Sequence, residues 1–137
     1  MDDLSAVGLT AASAMRAQSH RMRITAENMA NADSTGNTPG ADPFRRKVLS
    51  FESVLDNVTG ARTVQVSSVT EDPSPFQIEY NPSHPAADAR GMVKTPNVDA
   101  LIELANMREA SRSYEANLTL YETSGRMKDQ VMGILEK

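Results

Sequence analysis

The chain has 137 residues and a net charge of −4, and 39% of its residues are hydrophobic while only 4% are aromatic. This length suits one domain, the few aromatic residues argue against a large self-contained core, and the acidic balance gives no general basic surface for nucleic acid. Cysteine is absent, which excludes disulfide bonds, thiolate metal sites and cysteine nucleophiles.

The first segment, residues 1–31, predicts a long amphipathic helix. It starts with acidic residues and lacks a continuous apolar run, so we expect no cleaved signal peptide. One face follows steps of four and three, the spacing of a helix that packs lengthwise against another helix, although an ordinary amphipathic helix on a small core explains the same spacing. That face holds Leu4, Gly8, Ala11, Met15, Gln18, Met22, Thr25 and Met29.

The middle segment, residues 32–96, predicts a loop followed by extended or β structure. The run 31–40 consists almost entirely of turn formers and lacks the Gly-Lys-Ser/Thr ending of a phosphate-binding loop. Apolar and polar residues alternate at 64–66 and again at 76–80, which predicts half-buried strands. We interpret the basic run 45–47 as a solvated face in preference to a nucleic-acid patch.

The last segment, residues 97–137, predicts a second long helix, in which Asn97 can cap the first turn and Asp99 lies near the positive end. At about 1.5 Å per residue, a helix of roughly 58 Å exceeds what a small globular domain needs, so it requires a long partner. Its predicted packing face holds Leu101, Leu104, Met107, Ser111, Tyr114, Leu118, Tyr121, Gly125, Lys128, Met132 and Leu135. We therefore predict a mainly α fold, with the two terminal helices packed as an antiparallel coiled-coil-like pair around a small extended or β middle segment.

No residue pattern predicts catalysis, a cofactor or a metal ion. The two histidines, His20 and His84, have no acidic residues at metal-ligand spacing beside them. Acidic pairs such as Asp33 with Asp42 are typical of solvated loops, and no Ser-His-Asp arrangement accompanies them. No stretch approaches the roughly 20 apolar residues of a membrane span. We expect neither an enzyme nor a cofactor-binding protein.

Several segments together resemble one family of proteins. They are Ala26-Glu-Asn-Met-Ala-Asn-Ala-Asp-Ser34, Phe44-Arg-Arg-Lys47, the connector from Tyr80 to Asp99 with its His-Pro turn, Glu103-Leu-Ala-Asn-Met107 and Ala110-Ser-Arg-Ser-Tyr-Glu-Ala-Asn117. These segments are similar to the signatures of the bacterial flagellar rod and hook axial proteins, and the resemblance covers nearly the whole chain.

The resemblance implies a structural subunit of the flagellar proximal rod, which polymerises into a helical tube that transmits torque across the periplasm. It implies export without a cleaved signal peptide, through the type III apparatus of the flagellum. The implied partners are the chain itself, other rod proteins, the basal-body rings and the export apparatus, with no nucleic acid and no direct membrane span. A soluble coiled-coil adaptor, or another axial protein of the same family, is the alternative.

The resemblance and the helix spacing together give the residues expected to pack during assembly. They are Leu4, Gly8, Ala11, Met15, Met22, Asn28, Met29, Asn31, Leu101, Leu104, Met107, Tyr114, Asn117, Leu118, Tyr121 and Leu135. The spacing predicts that Leu104, Met107, Tyr114 and Leu118 are buried in the assembled state, against the N-terminal helix near Met15 and Met22.

Overall fold

A computed structural model of the chain describes residues 2–136, except for the side chain of Asp2. Helix α1 spans Asp2–Ala30 and helix α2 spans Ala100–Leu135. Between them, the described residues form four strands: β1 Lys47–Leu55, β2 Arg62–Glu71, β3 Gln77–Tyr80 and β4 Met92–Thr95. The helices hold 29 and 36 residues, slightly less than half of the chain, so the expected mainly α class is corrected to two long helices with a small β middle.

Strands β1 and β2 form a two-stranded sheet joined by a tight turn. The N–H of Asp56 donates to the carbonyl of Ala61 at 2.9 Å and closes the turn. Hydroxyl groups on β2 reach carbonyls on β1, from Thr63 to Val54 at 3.2 Å and from Ser67 to Ser50 at 3.2 Å. Residue numbers rise on one strand as they fall on the other, so the two strands are antiparallel.

Strands β3 and β4 form a second antiparallel pair, in which Tyr80 lies opposite Met92 and Gln77 opposite Thr95. Gly91 precedes β4 with φ of +77°, a conformation that glycine adopts without steric cost. The residue pattern of the connector around β4 is typical of turns and a helix start, so it does not predict this strand.

The chain divides into two compact units. One contains the chain up to Met22, Leu49–Ser68 and the chain from Arg108 onward, and the other contains Arg23–Val48 and Val69–Met107. Both helices and both strands of the first sheet contribute residues to each unit.

In the first unit, α1 packs against α2 through small residues. A side-chain Cβ built at Gly8 would lie 3.5 Å from Ser124 Oγ, and the fully buried residues of this unit include Ala11 on α1 and Ala110 on α2. Ser5 and Lys128 are joined at 3.3 Å, and Arg21 and Glu109 at 3.2 Å. Because these contacts pair early residues of α1 with late residues of α2, the two helices run in opposite directions here.

In the second unit, the buried apolar residues are Ile24, Ala86, Val93 and Val98. Buried polar residues lie beside them, and their hydrogen bonds decide how the loops and helix ends are held. Within residues 2–136, no helix combines the length and the apolar character needed to cross a membrane.

Candidate functional site

An ion pair buried in the second unit anchors the start of α2. The side chain of Glu103 is only 1% exposed and pairs with the guanidinium of Arg46, which also reaches Asp72 Oδ2 at 3.2 Å. Burial lowers the pKa of Arg46, but the hydrogen bonds and charges of Glu103 and Asp72 outweigh it and raise the pKa above its ordinary value. Arg46 therefore stays charged, and its contacts with Glu103 and Asp72 fix the loop that carries it.

The basic run 45–47 is thus not the solvated face that the sequence predicted. The guanidinium of Arg45 lies 4.1 Å from the ring centre of Phe76 and donates to the carbonyl of Asp72 at 2.8 Å. Lys47 Nζ lies 2.5 Å from Glu27 Oε1. The acidic partners are 20 or more residues away in sequence, so local charge patterning could not reveal them.

Asn97 joins separate segments instead of capping α2. Its side-chain oxygen accepts from the N–H of Arg46 at 2.8 Å, and its amide donates to the carbonyl of Asp72 at 3.1 Å. The cap is Asp99, whose carboxylate accepts from the N–H of Leu101 at 2.9 Å. The expected cap at Asn97 is corrected by two positions, because α2 begins at Ala100.

Asn28 and Asn31 have different tasks at the end of α1. Asn28 is 1% exposed, donates to the carbonyl of Lys47 at 2.9 Å and accepts from the N–H of Lys47 at 2.9 Å. The side chain of Asn31 donates at 2.9 Å to the carbonyl of Glu27, which also accepts from the backbone N–H of Asn31 at 3.1 Å in the last helical turn. Asn28 therefore ties α1 to β1, while Asn31 acts at the helix end.

The α1 residues expected to pack in assembly lie partly covered within the single chain. Ala11 is fully buried. The others on α1 are half-buried: Leu4, Gly8, Met15, Met22 and Met29. This face is therefore in contact with the rest of its own chain.

The inner face of α2 is rotated by one position from the face that the sequence predicted. Its most covered residues follow steps of seven: Glu103, Ala110 and Ser124 are buried and Asn117 is half-buried. The neighbouring column contains Met107 and Tyr114, also half-buried, and Tyr121, which lies near Gly8. The small residues Ala110 and Ser124 on this face let the helix backbones approach closely.

Larger apolar residues of α2 point outward. Leu104 and Leu118 are each 38% exposed in the single chain, and their burial in the assembled state stays a prediction. Leu101 and Leu135 are 78% and 71% exposed. We define the outer apolar surface of α2 as the exposed apolar residues distributed around this helix: Leu101, Ile102, Leu104, Leu118, Leu120, Met127, Val131, Met132, Ile134 and Leu135. Exposed apolar residues concentrated on one helix favour interaction with another molecule.

The part of the chain described here contains no cluster of three or more acidic or histidine side chains able to hold a metal ion. His84 instead lies 3.1 Å from the hydroxyl of Thr35 and accepts from the N–H of Ala86 at 3.0 Å. These contacts give His84 a role in joining two loops of the second unit.

Two family models match the chain. The flagella basal body rod protein model covers residues 9–41, and the flagellar basal body rod FlgEFG protein C-terminal model covers residues 89–134. The matched ranges contain most of α1, the loop after it and nearly all of α2.

Curated relatives match over most of their length. The flagellar basal-body rod protein FlgC of Agrobacterium fabrum is 57% identical over 118 residues, which span 86% of this chain and 85% of the relative. FlgC of Salmonella typhimurium is 46% identical over 82% of this chain and 84% of its own, and FlgC of Bacillus subtilis is 38% identical over 91% of each. With this identity and coverage, the chain belongs to the flagellar basal-body rod protein FlgC family.

Proposed function

We propose that this chain is a structural subunit of the flagellar proximal rod, where copies assemble helically into a tube that transmits torque across the periplasm. The observation that carries the proposal is the outer apolar surface of α2, which the chain's own residues leave exposed. Burying one Leu or Met side chain contributes about 1.5–3 kcal/mol. A subunit interface over this surface would therefore be held mainly by apolar burial.

The relatives that match this chain are named as rod proteins, which supports a structural and non-catalytic role. The same membership favours the rod over a soluble coiled-coil adaptor, since an adaptor leaves the asparagine and connector motifs unexplained.

Coiled-coil-like pairing of α1 with α2 is the finer part of the proposal. The contacts of Gly8, Ser5 and Arg21 with α2 support antiparallel pairing in the first unit. The sixteen assembly residues named from the sequence, and the division into 1–31, 32–96 and 97–137, stay predictions about the assembled state.

For partners and location, we propose self-contacts, contacts with other rod proteins, and contacts with the basal-body rings and export apparatus. The proposed location is the periplasmic rod, reached by type III export without cleavage of a signal peptide. Family membership supports the basal-body location. The periplasmic rod and type III export without cleavage of a signal peptide are parts of the proposal that go beyond family membership.

Complementation tests the proposed function. A strain of Agrobacterium fabrum without its FlgC would receive this chain, its own FlgC as a positive control, or an empty vector. We expect this chain to restore swimming in soft agar and to co-purify with basal bodies. A stable chain that stays outside the basal bodies would contradict the proposal. A discrete soluble oligomer that persists across a concentration series in sedimentation would support the adaptor instead.

A further inference from the structure

The outer edge of β1 carries backbone groups that no other strand uses. In an antiparallel pair, alternate residues direct both N–H and C=O away from the partner. We call the β1 residues whose N–H and C=O point away from β2 the outward set. Lys47 belongs to it, because its backbone N–H and C=O both bond to the side chain of Asn28. The outward set therefore continues through Leu49, Phe51, Ser53 and Leu55.

These outward groups lie at the surface of the first unit. The sheet consists of β1 and β2, so among the described residues no strand lies along the outer edge of β1. Phe51 is 37% exposed and Leu55 is 50% exposed. An exposed apolar strand edge is a template for pairing with another extended segment.

Strand β3 offers a second edge of the same kind. The N–H of Asn81 donates to the carbonyl of Gly91 at 2.9 Å, so the outward residues of β3 are Ile78 and Tyr80. Their side chains are 64% and 68% exposed. The outer edges of β2 and β4 are partly occupied. The hydroxyl of Ser13 accepts from the N–H of Val64 on β2, and the carboxylate of Asp88 accepts from the N–H of Met92 on β4.

We propose that the outer edge of β1 pairs antiparallel with the outer edge of β3 from a second copy of this chain. In an antiparallel ladder, residues whose backbone groups face the partner lie opposite one another, with side chains on the same face. The outward residues of both edges are mostly apolar or aromatic, so pairing places Phe51 and Leu49 beside Ile78 and Tyr80. Such cross-strand pairs stabilise a sheet.

Charge selects the register of this pairing. Placing Phe51 opposite Tyr80 would put Glu52 directly opposite Glu79, and like charges in that position are destabilising. Placing Phe51 opposite Ile78 instead puts Glu52 opposite the uncharged Gln77. The same register places Leu49 opposite Tyr80 as a second apolar pair.

The choice of a second copy rests on the proposed function. An open helical assembly needs two different, complementary surfaces on each subunit, because a surface that pairs with itself closes into a dimer. The edges of β1 and β3 are different surfaces on one chain, so pairing them continues from copy to copy.

A disulfide scan tests the pairing, since the native chain has no cysteine. In the proposed register, Ser50 and Glu79 face each other at a close pair, with Cα atoms about 4.5 Å apart, which suits a disulfide. Basal bodies containing S50C/E79C, treated with a mild oxidant, should yield reducible dimers and longer multimers on a non-reducing gel. The matched control S53C/E79C, whose first cysteine points to the other face, should stay monomeric.

Two results would overturn the pairing while leaving the proposed function intact. One is full incorporation of S50C/E79C into basal bodies without cross-linked multimers. The other is dimer formation by S50C alone, which would show that the β1 edge pairs with itself. If the unmodified chain fails to enter basal bodies, the proposed function fails instead.

A proline substitution provides a second measurement. The N–H of Ser53 points outward, so S53P removes no bond of the β1–β2 ladder but blocks the edge. We expect S53P and the control S53A to have similar melting temperatures. We expect S53P to enter rods at least about tenfold less efficiently than S53A. Equal incorporation of S53P and S53A would overturn the pairing.

Discussion

The side chain of Asn28 forms with the backbone of Lys47 the two hydrogen bonds that a neighbouring strand would form. Its amide nitrogen donates to the carbonyl of Lys47, and its oxygen accepts from the N–H of Lys47, both at 2.9 Å. One helical residue thereby completes the first position of the β1 edge. Since Asn28 is almost fully buried, water cannot replace it without a rearrangement.

Asn28→Ala should therefore lower the free energy of unfolding by about 2–4 kcal/mol, because it leaves a donor and an acceptor of Lys47 unpaired. Urea denaturation measures the change. Asn31→Ala is the matched control: it removes two side-chain bonds at a half-exposed helix end, one to the carbonyl of Glu27 and one from the hydroxyl of Ser34, and we expect a loss of about 1 kcal/mol. Equal losses in the two variants would contradict the different tasks assigned to the two asparagines.

The buried pair of Glu103 with Arg46 leads to a second prediction. Glu103→Ala should cost about 3–5 kcal/mol, since it removes one of the two acidic partners of the largely buried Arg46 guanidinium. Replacing both residues with Leu should cost less than the single change, because the buried pair is removed together and only Asp72, which keeps its hydrogen bonds from Ser74, loses a contact.

The exposed pair of Arg21 and Glu109 is the control for this prediction. Glu109 is 66% exposed, so Glu109→Ala should change the free energy of unfolding by less than about 1 kcal/mol. A comparable loss for Glu103→Ala and Glu109→Ala in thermal or urea unfolding would show that burial does not distinguish the two pairs.

The carboxylate of Asp72 makes stability depend on pH in the acid range. Hydrogen bonds from the hydroxyl and backbone N–H of Ser74 lower the pKa of Asp72, with a smaller contribution from Arg46. A lowered pKa in the folded state means that the stabilisation is complete above the unfolded carboxyl pKa, near pH 4, and is lost as pH falls through the folded pKa.

Ser74→Ala should raise the pKa of Asp72, measured by NMR titration of its carboxyl carbon, and reduce the loss of stability below about pH 4. Some acid sensitivity should remain, because backbone hydrogen bonds also lower the pKa values of Asp56 and Asp88. Ser83→Ala is the control, since that hydroxyl donates to Asn81, which does not titrate. An unchanged Asp72 titration in Ser74→Ala would refute the assigned cause.

Leu118 tests the outer apolar surface of α2. Leu118→Asp should lower the stability of the folded monomer less than the same change at a fully buried position, because the residue is already 38% exposed, and it should prevent incorporation into the rod. Glu115→Lys on the same helix should matter much less, since exposed ion pairs contribute roughly 0–1 kcal/mol. Incorporation is scored in purified basal bodies. If Glu115→Lys blocks incorporation and Leu118→Asp does not, the packing surface lies on another face.

The sequence predicts the long elements better than the contacts between them. Apolar spacing predicts both helices, and alternation at 76–80 predicts β3, although Ile78 and Tyr80 point outward instead of into a core. Within the single chain the most covered residues of α2, such as Ala110 and Ser124, lie one position from the larger apolar residues that the spacing favours, and the packing of those larger residues in the assembled state stays a prediction. Partners such as Glu103 for Arg46 are 57 residues apart, beyond the reach of any local pattern.

A cryo-electron microscopy map of basal bodies built with this chain in place of Agrobacterium fabrum FlgC tests the central claim most directly. We predict density for the chain in the wall of the rod, with Leu118 and Ile134 covered by neighbouring subunits. A rod that lacks the chain although cells produce it, or a rod in which the outer apolar surface of α2 remains in contact with solvent, would contradict the account.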